Sequence, residues 1–147
     1  MPIISPSKEE ILKLKTSYNN GSFLEAEGLA LSLTQKHSNF QLGLKILGSI
    51  YANTGRISKT IEVCNTILNL NSNDIETLFL LGVMLQKIGN FEQSKNCFLN
   101  IIQLNKNNID AHFQLGLTLQ LQGKLDSSIR YYKKLLLLKP DHFNTLN

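Results

Sequence analysis

Tryptophan is absent from this 147-residue chain, and cysteine is scarce. The two cysteines, Cys64 and Cys97, are too few for a disulfide-rich scaffold. The longest nearly apolar stretch runs only from Phe79 to Leu85, far short of the roughly 20 residues that span a bilayer. The N-terminal MPIISPSKEE lacks the basic region and apolar segment of a signal peptide. We therefore expect a soluble, cytoplasmic protein with no membrane partner.

The excess of positive over negative charge is also small. The net charge is +4, but the lysines and glutamates of residues 7–40 cancel, and only the last quarter of the chain leans basic. The segment from Arg130 to Lys134, RYYKK, mixes aromatic rings with cations as some surfaces that stack on bases do. Tyr132, however, falls on a helix-packing position. Because a nucleic-acid-binding protein concentrates its basic residues on one face, we expect no nucleic-acid partner.

What the chain does contain is a glycine pair that recurs. The segments LGSIYANTG, LGVMLQKIG and LGLTLQLQG begin at Leu47, Leu81 and Leu115, so both glycines recur every 34 residues. One period earlier, Gly21 stands under the second glycine. The chain thus divides into four frames, here called repeats 1 to 4: 7–40, 41–74, 75–108 and 109–142. A fixed period of this length indicates a stacked array of supersecondary units, and no phosphate-loop pattern is present.

Each repeat has the periodicity of two helices. In repeat 4 two apolar stripes recur at spacings of three and four residues: His112, Leu115 and Leu119, then Leu125, Ile129, Tyr132 and Leu136. The second glycine of each pair falls where the first helix ends, a position that favours left-handed backbone. The first glycine lets two helices approach closely, and Pro140 ends the last helix. Opposite the first glycine we expect a small residue: Ala26, Thr60, Ser94 and Ser128.

These residues resemble the tetratricopeptide repeat. Repeat 4 fits its motif best: His112, Leu115, Gly116, Leu119, Gly123, Ser128, Tyr132, Leu135 and Pro140. Repeats 2 and 3 match the motif well apart from the missing proline, and repeat 1 departs most, as a terminal repeat often does. The resemblance implies an all-α solenoid of four helix–turn–helix units with right-handed superhelical stacking. For function, it implies a scaffold that binds a protein or peptide.

The start of the chain, from Lys8, is similar to the opening repeat of bacterial tetratricopeptide arrays that precede a glycosyltransferase or sulfotransferase domain. A second hypothesis is therefore that the chain is the recognition arm of a larger transferase, whose catalytic residues are not in this sequence. We treat residues 1–147 as a single tetratricopeptide domain. Residues 143–147 then begin a fifth helix pair or form a tail.

The family resemblance also places a binding groove. In this family the first helix of each repeat lines a concave surface. The resemblance therefore implies the following candidate partner-binding residues in this chain: Lys45, Ser49, Phe79, Val83, Gln86, Phe113, Leu117, Gln120 and Leu121. The apolar members form a strip that suits an amphipathic helix or an extended apolar peptide. The alternative is that the superhelix itself or self-association partly buries them.

No combination of residues predicts catalysis, a metal or a cofactor. His37, His112 and His142 fall far apart in the frames, whereas a metal site needs converging ligands. No Ser–His–Asp, Cys–His or paired-carboxylate set can be placed on one surface. We therefore predict a protein that is not an enzyme.

A third hypothesis is self-assembly through the last helix, from Leu125 to Lys139. No following helix is there to cover Tyr131, Leu135 and Leu138. Since solenoid ends without a polar cap tend to associate, these residues predict a homodimer.

Overall fold

The computed structural model describes residues 5–138, and all regular secondary structure in that range is α-helical. Its eight helices are α1 (Lys8–Asn19), α2 (Phe23–Lys36), α3 (Gln41–Asn53), α4 (Ile57–Leu70), α5 (Ile75–Lys87), α6 (Phe91–Leu104), α7 (Ile109–Leu121) and α8 (Leu125–Leu138). Two helices fall in each of the four 34-residue repeats. The all-α fold of helix–turn–helix units is confirmed. The predicted helix end at Pro140, His142 and the predicted fifth helix at 143–147 lie outside the described residues.

Three of the helices, α1, α6 and α7, begin where a polar side chain accepts a hydrogen bond from a free backbone N–H group of the first turn. Ser7 and Glu10 form a reciprocal capping box at α1: the Glu10 N–H donates to the Ser7 hydroxyl, and the Ser7 N–H donates to the Glu10 carboxylate. This contact lowers the pKa of Glu10. At α7 the Ala111 N–H donates to the Asn108 side-chain oxygen over 2.9 Å. The asparagine-rich bends between repeats therefore also start helices.

The first helix of every repeat ends at the second glycine of the pair. These four glycines have φ between 74° and 81°, the left-handed region in which only glycine avoids a steric cost. After α7, the Lys124 N–H donates to the Leu119 carbonyl and the Gly123 N–H to the Gln120 carbonyl. This is the Schellman arrangement. The predicted role of the second glycine is confirmed.

The contacts divide the chain into two compact units, with the boundary between Ser72 and Asn73. The N-terminal unit contains α1 to α4, and the C-terminal unit contains α5 to α8. In the N-terminal unit, aliphatic residues of α1, α2 and α3 form one buried cluster together with Tyr51: Leu14, Ala26, Ala30, Leu33, Ile46, Leu47 and Ile50. The description of residues 1–147 as one domain stays a prediction.

In the C-terminal unit the first glycine of each pair lies directly under an aromatic ring. A methyl group added to Gly82 would stand 2.7 Å from the Phe98 ring, and one added to Gly116 would stand 2.8 Å from the Tyr132 ring. The small residues predicted there do touch the glycines: Ser94 donates to the Gly82 carbonyl over 2.7 Å. The close approach is confirmed, but a ring fills most of the space.

Three of the four residues in the apolar stripe predicted for α8 do not face the core. Leu125, Ile129 and Leu136 are 59%, 50% and 42% exposed. Ser128 and Leu135 are buried instead. The reason is that α8 carries apolar side chains on two adjacent faces, and the face that holds Ser128 is the one drawn against Gly116 by a 2.8 Å hydrogen bond.

This packing corrects the predicted self-association surface. Leu135 was expected to lie uncovered, but it is fully buried. Tyr131 is half-buried, and its ring centroid lies 6.2 Å from that of the buried His112. The side chain of Leu138 lies outside the described residues.

Candidate functional site

Two helices of the C-terminal unit carry most of the predicted groove residues. Phe79, Val83 and Gln86 follow one another at spacings of four and three on α5, so they share one face of the helix. All three are half-buried. The equivalent surface of α7 is formed by Phe113, Leu117, Gln120 and Leu121. Here Phe113 and Leu117 are half-buried and Gln120 is exposed, whereas Leu121 is 51% exposed.

Each groove phenylalanine is held by an aromatic ring from the second helix of its own repeat. The Phe79 and Phe98 centroids are 5.7 Å apart at an interplanar angle of 68°, an edge-to-face contact. Phe113 and Tyr132 are 5.9 Å apart at 53°. Phe98 is fully buried, so this support is rigid. The two repeats thus present their phenylalanines in the same way.

The polar side of this surface is tied together by Gln86. Its side-chain amide donates to Gln114 over 3.3 Å and to the Thr118 hydroxyl over 2.9 Å, which links α5 to α7. Gln120 accepts a 3.0 Å hydrogen bond from the Tyr132 hydroxyl. Gln86 and Gln120 therefore both have partners within the chain. These bonds fix the orientation of the surface.

Lys45 and Ser49 lie on α3 in the N-terminal unit, and both are half-buried. The Ser49 hydroxyl shares a hydrogen bond with the Tyr18 hydroxyl of α1. This bond links the first helices of repeats 1 and 2, as Gln86 links those of repeats 3 and 4. The participation of Lys45 and Ser49 in one groove with α5 and α7 stays a prediction.

Sequence reasoning did not identify Phe98, Gln114, Thr118 or Tyr18 as supports of this surface. A signal for Phe98 was available, because Phe98 and Tyr132 occupy the same position of repeats 3 and 4. Both sit four residues beyond the serine that faces glycine. No periodic signal marks Gln114 or Thr118, because repeat 3 has Leu80 and Met84 at the same positions.

The titratable groups of the described residues do not converge. Between residues 5 and 138, no group of three or more His, Cys, Asp or Glu side chains is placed to hold a metal ion. His112 is fully buried, with its Nε2 atom 2.8 Å from the Lys106 carbonyl oxygen. Burial raises the pKa of the Cys97 thiol to about 11, which works against a nucleophilic role. Among the helices described, none is both long and apolar enough to cross a membrane.

Comparison with family models identifies the type of repeat. Models of the tetratricopeptide repeat match residues 75–108 and residues 109–142, which are repeats 3 and 4. Residues 75–142 belong to the tetratricopeptide repeat family. Both matched repeats lie in the C-terminal unit, and their boundaries coincide with the 34-residue frames.

Solved tetratricopeptide structures share the fold over nearly the whole chain. A crystal structure of MamA is 23% identical, with a TM-score of 0.81, over 93% of this chain and 77% of that one. MamA residues 41 to the end from Desulfovibrio magneticus give a TM-score of 0.84 at 20% identity, over 95% and 78%. A tetratricopeptide repeat protein from Parabacteroides merdae gives 0.79 at 22%, over 86% and 50%. A search of curated proteins found no match. At these identities the similarity establishes the fold alone.

Proposed function

We propose that the chain is a non-enzymatic scaffold that binds a peptide or helix of a partner protein on the α5–α7 surface. The tetratricopeptide fold supports a role in protein–protein interaction. One observation carries the choice of surface: Phe79 and Phe113 lie on adjacent first helices, are each backed by an aromatic ring, and keep part of their surface accessible. A transferase arm stays a hypothesis from the sequence.

The chemistry of this surface favours an apolar ligand with a polar edge. Phe79, Val83, Phe113 and Leu117 offer half-buried apolar side chains, and the more exposed Leu121 extends the strip to the end of α7. Exposed groups of both charge signs lie beside it, with Glu76 and Lys87 on α5 and Asp110 on α7. Since Gln86 and Gln120 are already hydrogen-bonded, apolar burial is the main source of affinity.

The experiment compares wild type with Leu117→Lys/Leu121→Lys. Each protein is used to capture partners from the lysate of the source organism, and the captured segment is then synthesised and titrated by fluorescence anisotropy. We expect the double variant to weaken binding at least tenfold, because two cations are placed in the apolar strip. The matched control is Leu24→Lys/Leu137→Lys, which changes two leucines that are 88% and 85% exposed on α2 and α8.

Circular dichroism checks that all three proteins are equally helical. A peptide that binds wild type, the control and the groove variant with equal affinity would show that the α5–α7 surface is not the site. Lysine substitution at Phe79 is a poorer choice, because it also removes the ring that packs on Phe98.

A further inference from the structure

Helix α8 carries an exposed apolar face. Leu125, Ile129 and Leu136 stand at spacings of four and seven residues, so they form one stripe along the helix. Their exposed fractions are 59%, 50% and 42%. Tyr132 borders the stripe and is half-buried. A continuous apolar stripe of this kind is typical of a surface that another helix covers.

In the preceding repeat, the positions that correspond to this stripe are less exposed. The positions of α6 that lie one period earlier are occupied by Phe91, Lys95 and Ile102, and all three are half-buried. Helix α7 packs on α6 as well as on α8. Within residues 5–138 no helix takes the place beyond α8 that α7 takes beyond α6. The stripe is therefore a helix-docking face.

The stripe is self-complementary when two copies of α8 are antiparallel. When the twofold axis passes midway between Arg130 and Tyr131, Leu125 of one copy lies opposite Leu136 of the other. In the same register Ile129 lies opposite Tyr132 of the second copy. A symmetric pair of this kind buries the same patch on both copies.

The charges beside the stripe favour the same register. Asp126 and Lys133 lie on one flank of α8, seven residues apart. In the antiparallel pair, Asp126 of one copy and Lys133 of the other stand on the same side, with an axial offset of about 3 Å. In a parallel symmetric pair the two copies of this flank would lie on opposite sides, so Asp126 and Lys133 of different copies would not meet. Neither side chain has an ion-pair partner in the described part of the chain.

We propose that the chain forms a symmetric homodimer through antiparallel α8 helices, with Leu125, Ile129 and Leu136 at its centre and two Asp126–Lys133 ion pairs beside them. This surface is separate from the proposed α5–α7 binding surface. It also differs from the residues named from sequence, of which Leu135 is buried. One helix per copy is a small interface, so we expect a dissociation constant of about 1 µM or higher.

Sedimentation velocity tests the apolar centre, over protein concentrations from about 1 µM to 1 mM. Wild type is expected to shift from monomer to dimer, and Ile129→Glu is expected to raise the dissociation constant at least tenfold. The control, Leu137→Glu, places the same charge on a side chain that is 85% exposed and outside the stripe. A wild type that stays monomeric throughout, or an Ile129→Glu variant that dimerises as wild type does, overturns the proposal.

Charge reversal tests the antiparallel register. Asp126→Lys and Lys133→Asp each create like-charge pairs and should weaken the dimer, whereas the double variant Asp126→Lys/Lys133→Asp restores opposite charges and should recover it. An equimolar mixture of the two single variants should form a heterodimer more tightly than either forms a homodimer. Lys134→Asp, on the opposite side of α8, serves as the control. If neither the double variant nor the mixture recovers association, the proposed register is wrong.

Discussion

The two compact units use the same backbone pattern but fill it differently. In the C-terminal unit, Phe98 and Tyr132 cover the glycines of α5 and α7. At the same repeat position the N-terminal unit has Ala30 and Cys64. Its distinctive contact is polar instead, since Arg56 forms two hydrogen bonds with the Glu27 carboxylate and stacks 4.6 Å from the Tyr51 ring centroid. Ring-over-glycine packing thus joins the two helices within each hairpin of the C-terminal unit, whereas the Arg56–Glu27 ion pair links repeats 1 and 2.

This difference agrees with the family comparison. The models match repeats 3 and 4, which have the aromatic ring. The hairpin geometry depends on the left-handed glycine that all four repeats share. The lesson is that the glycine turn specifies the hairpin, while the packing residue at the later position is exchangeable.

The largest expected difference between the units concerns the residue that packs over the first glycine in repeat 3, Phe98, and the residue at the same position of repeat 2, Cys64. Phe98→Ala removes a fully buried ring and should lower the free energy of unfolding by about 3–5 kcal/mol. Cys64→Ala, at the equivalent position, should cost only about 1 kcal/mol, because one sulfur atom is lost. Urea unfolding followed by circular dichroism measures both. Equal losses would show that the ring is not what distinguishes the C-terminal unit.

The next largest effect on stability concerns the space beside the first glycine of the pair in repeat 3. In Gly82→Ala the new methyl group would stand 2.7 Å from the fully buried Phe98 ring, so the ring or the helix must shift. We expect a loss of about 1–3 kcal/mol. Gly28→Ala in α2 has no atom within 4 Å and should stabilise the protein by about 0.5–1 kcal/mol through helix propensity. Thermal unfolding compares them, and stabilisation by both substitutions would contradict the close approach.

A smaller effect is expected for the serine that faces glycine. Ser94→Ala removes a buried hydrogen bond to the Gly82 carbonyl and should cost about 1 kcal/mol. Thr66 in α4 is exposed, and its hydroxyl donates only to the Glu62 carbonyl of its own helix. Thr66→Ala should therefore change stability by no more than about 0.5 kcal/mol. The same urea titration distinguishes a link between helices from one within a helix.

The smallest effect is on acid stability. The hydrogen bonds from Arg56 lower the pKa of Glu27 below its ordinary 4.5, so the stabilisation is present above pH 4.5 and is lost as the pH falls through the lower, folded-state pKa. Glu27→Gln should thus reduce the difference between the urea midpoints at pH 7 and pH 3.

Glu92 is the comparison in the C-terminal unit. Lys95 and Gln122 lower the pKa of its carboxyl, but this side chain is 63% exposed and solvent screens its ion pair. Glu92→Gln should alter the pH dependence less than Glu27→Gln does. The opposite ranking would mean that exposure does not govern these two pairs.

The repeat period, the helix pairs and the turn glycines could be predicted from sequence because each depends on local spacing. The glycine at 123 ends α7 because of its own backbone conformation, whatever packs nearby. The spacing of three and four residues alone does not choose between the two apolar faces of α8, because Ile129 and Leu135 are equally apolar. What decides it is the contact between Ser128 and Gly116, which brings together residues from different helices.

For the candidate site, the helical spacing correctly places Phe79, Val83 and Gln86 on one face. It does not show that the Gln86 amide is already bound to Thr118 and Gln114. Hydrogen-bond partners on neighbouring helices depend on side-chain reach, which no periodic pattern encodes. The α5–α7 surface as the binding site stays a prediction.

The buried cysteines give the molecule two internal reporters of opening, one in each unit. Cys64 lies in α4 and Cys97 in α6, and neither is in a disulfide. With a pKa of about 11, Cys97 is thiolate in only about one molecule in ten thousand at pH 7 while the protein is folded. Alkylation of that thiol therefore records how often the C-terminal unit opens. Partner binding on α5 and α7 would slow this reaction without changing the reagent's access to the N-terminal unit.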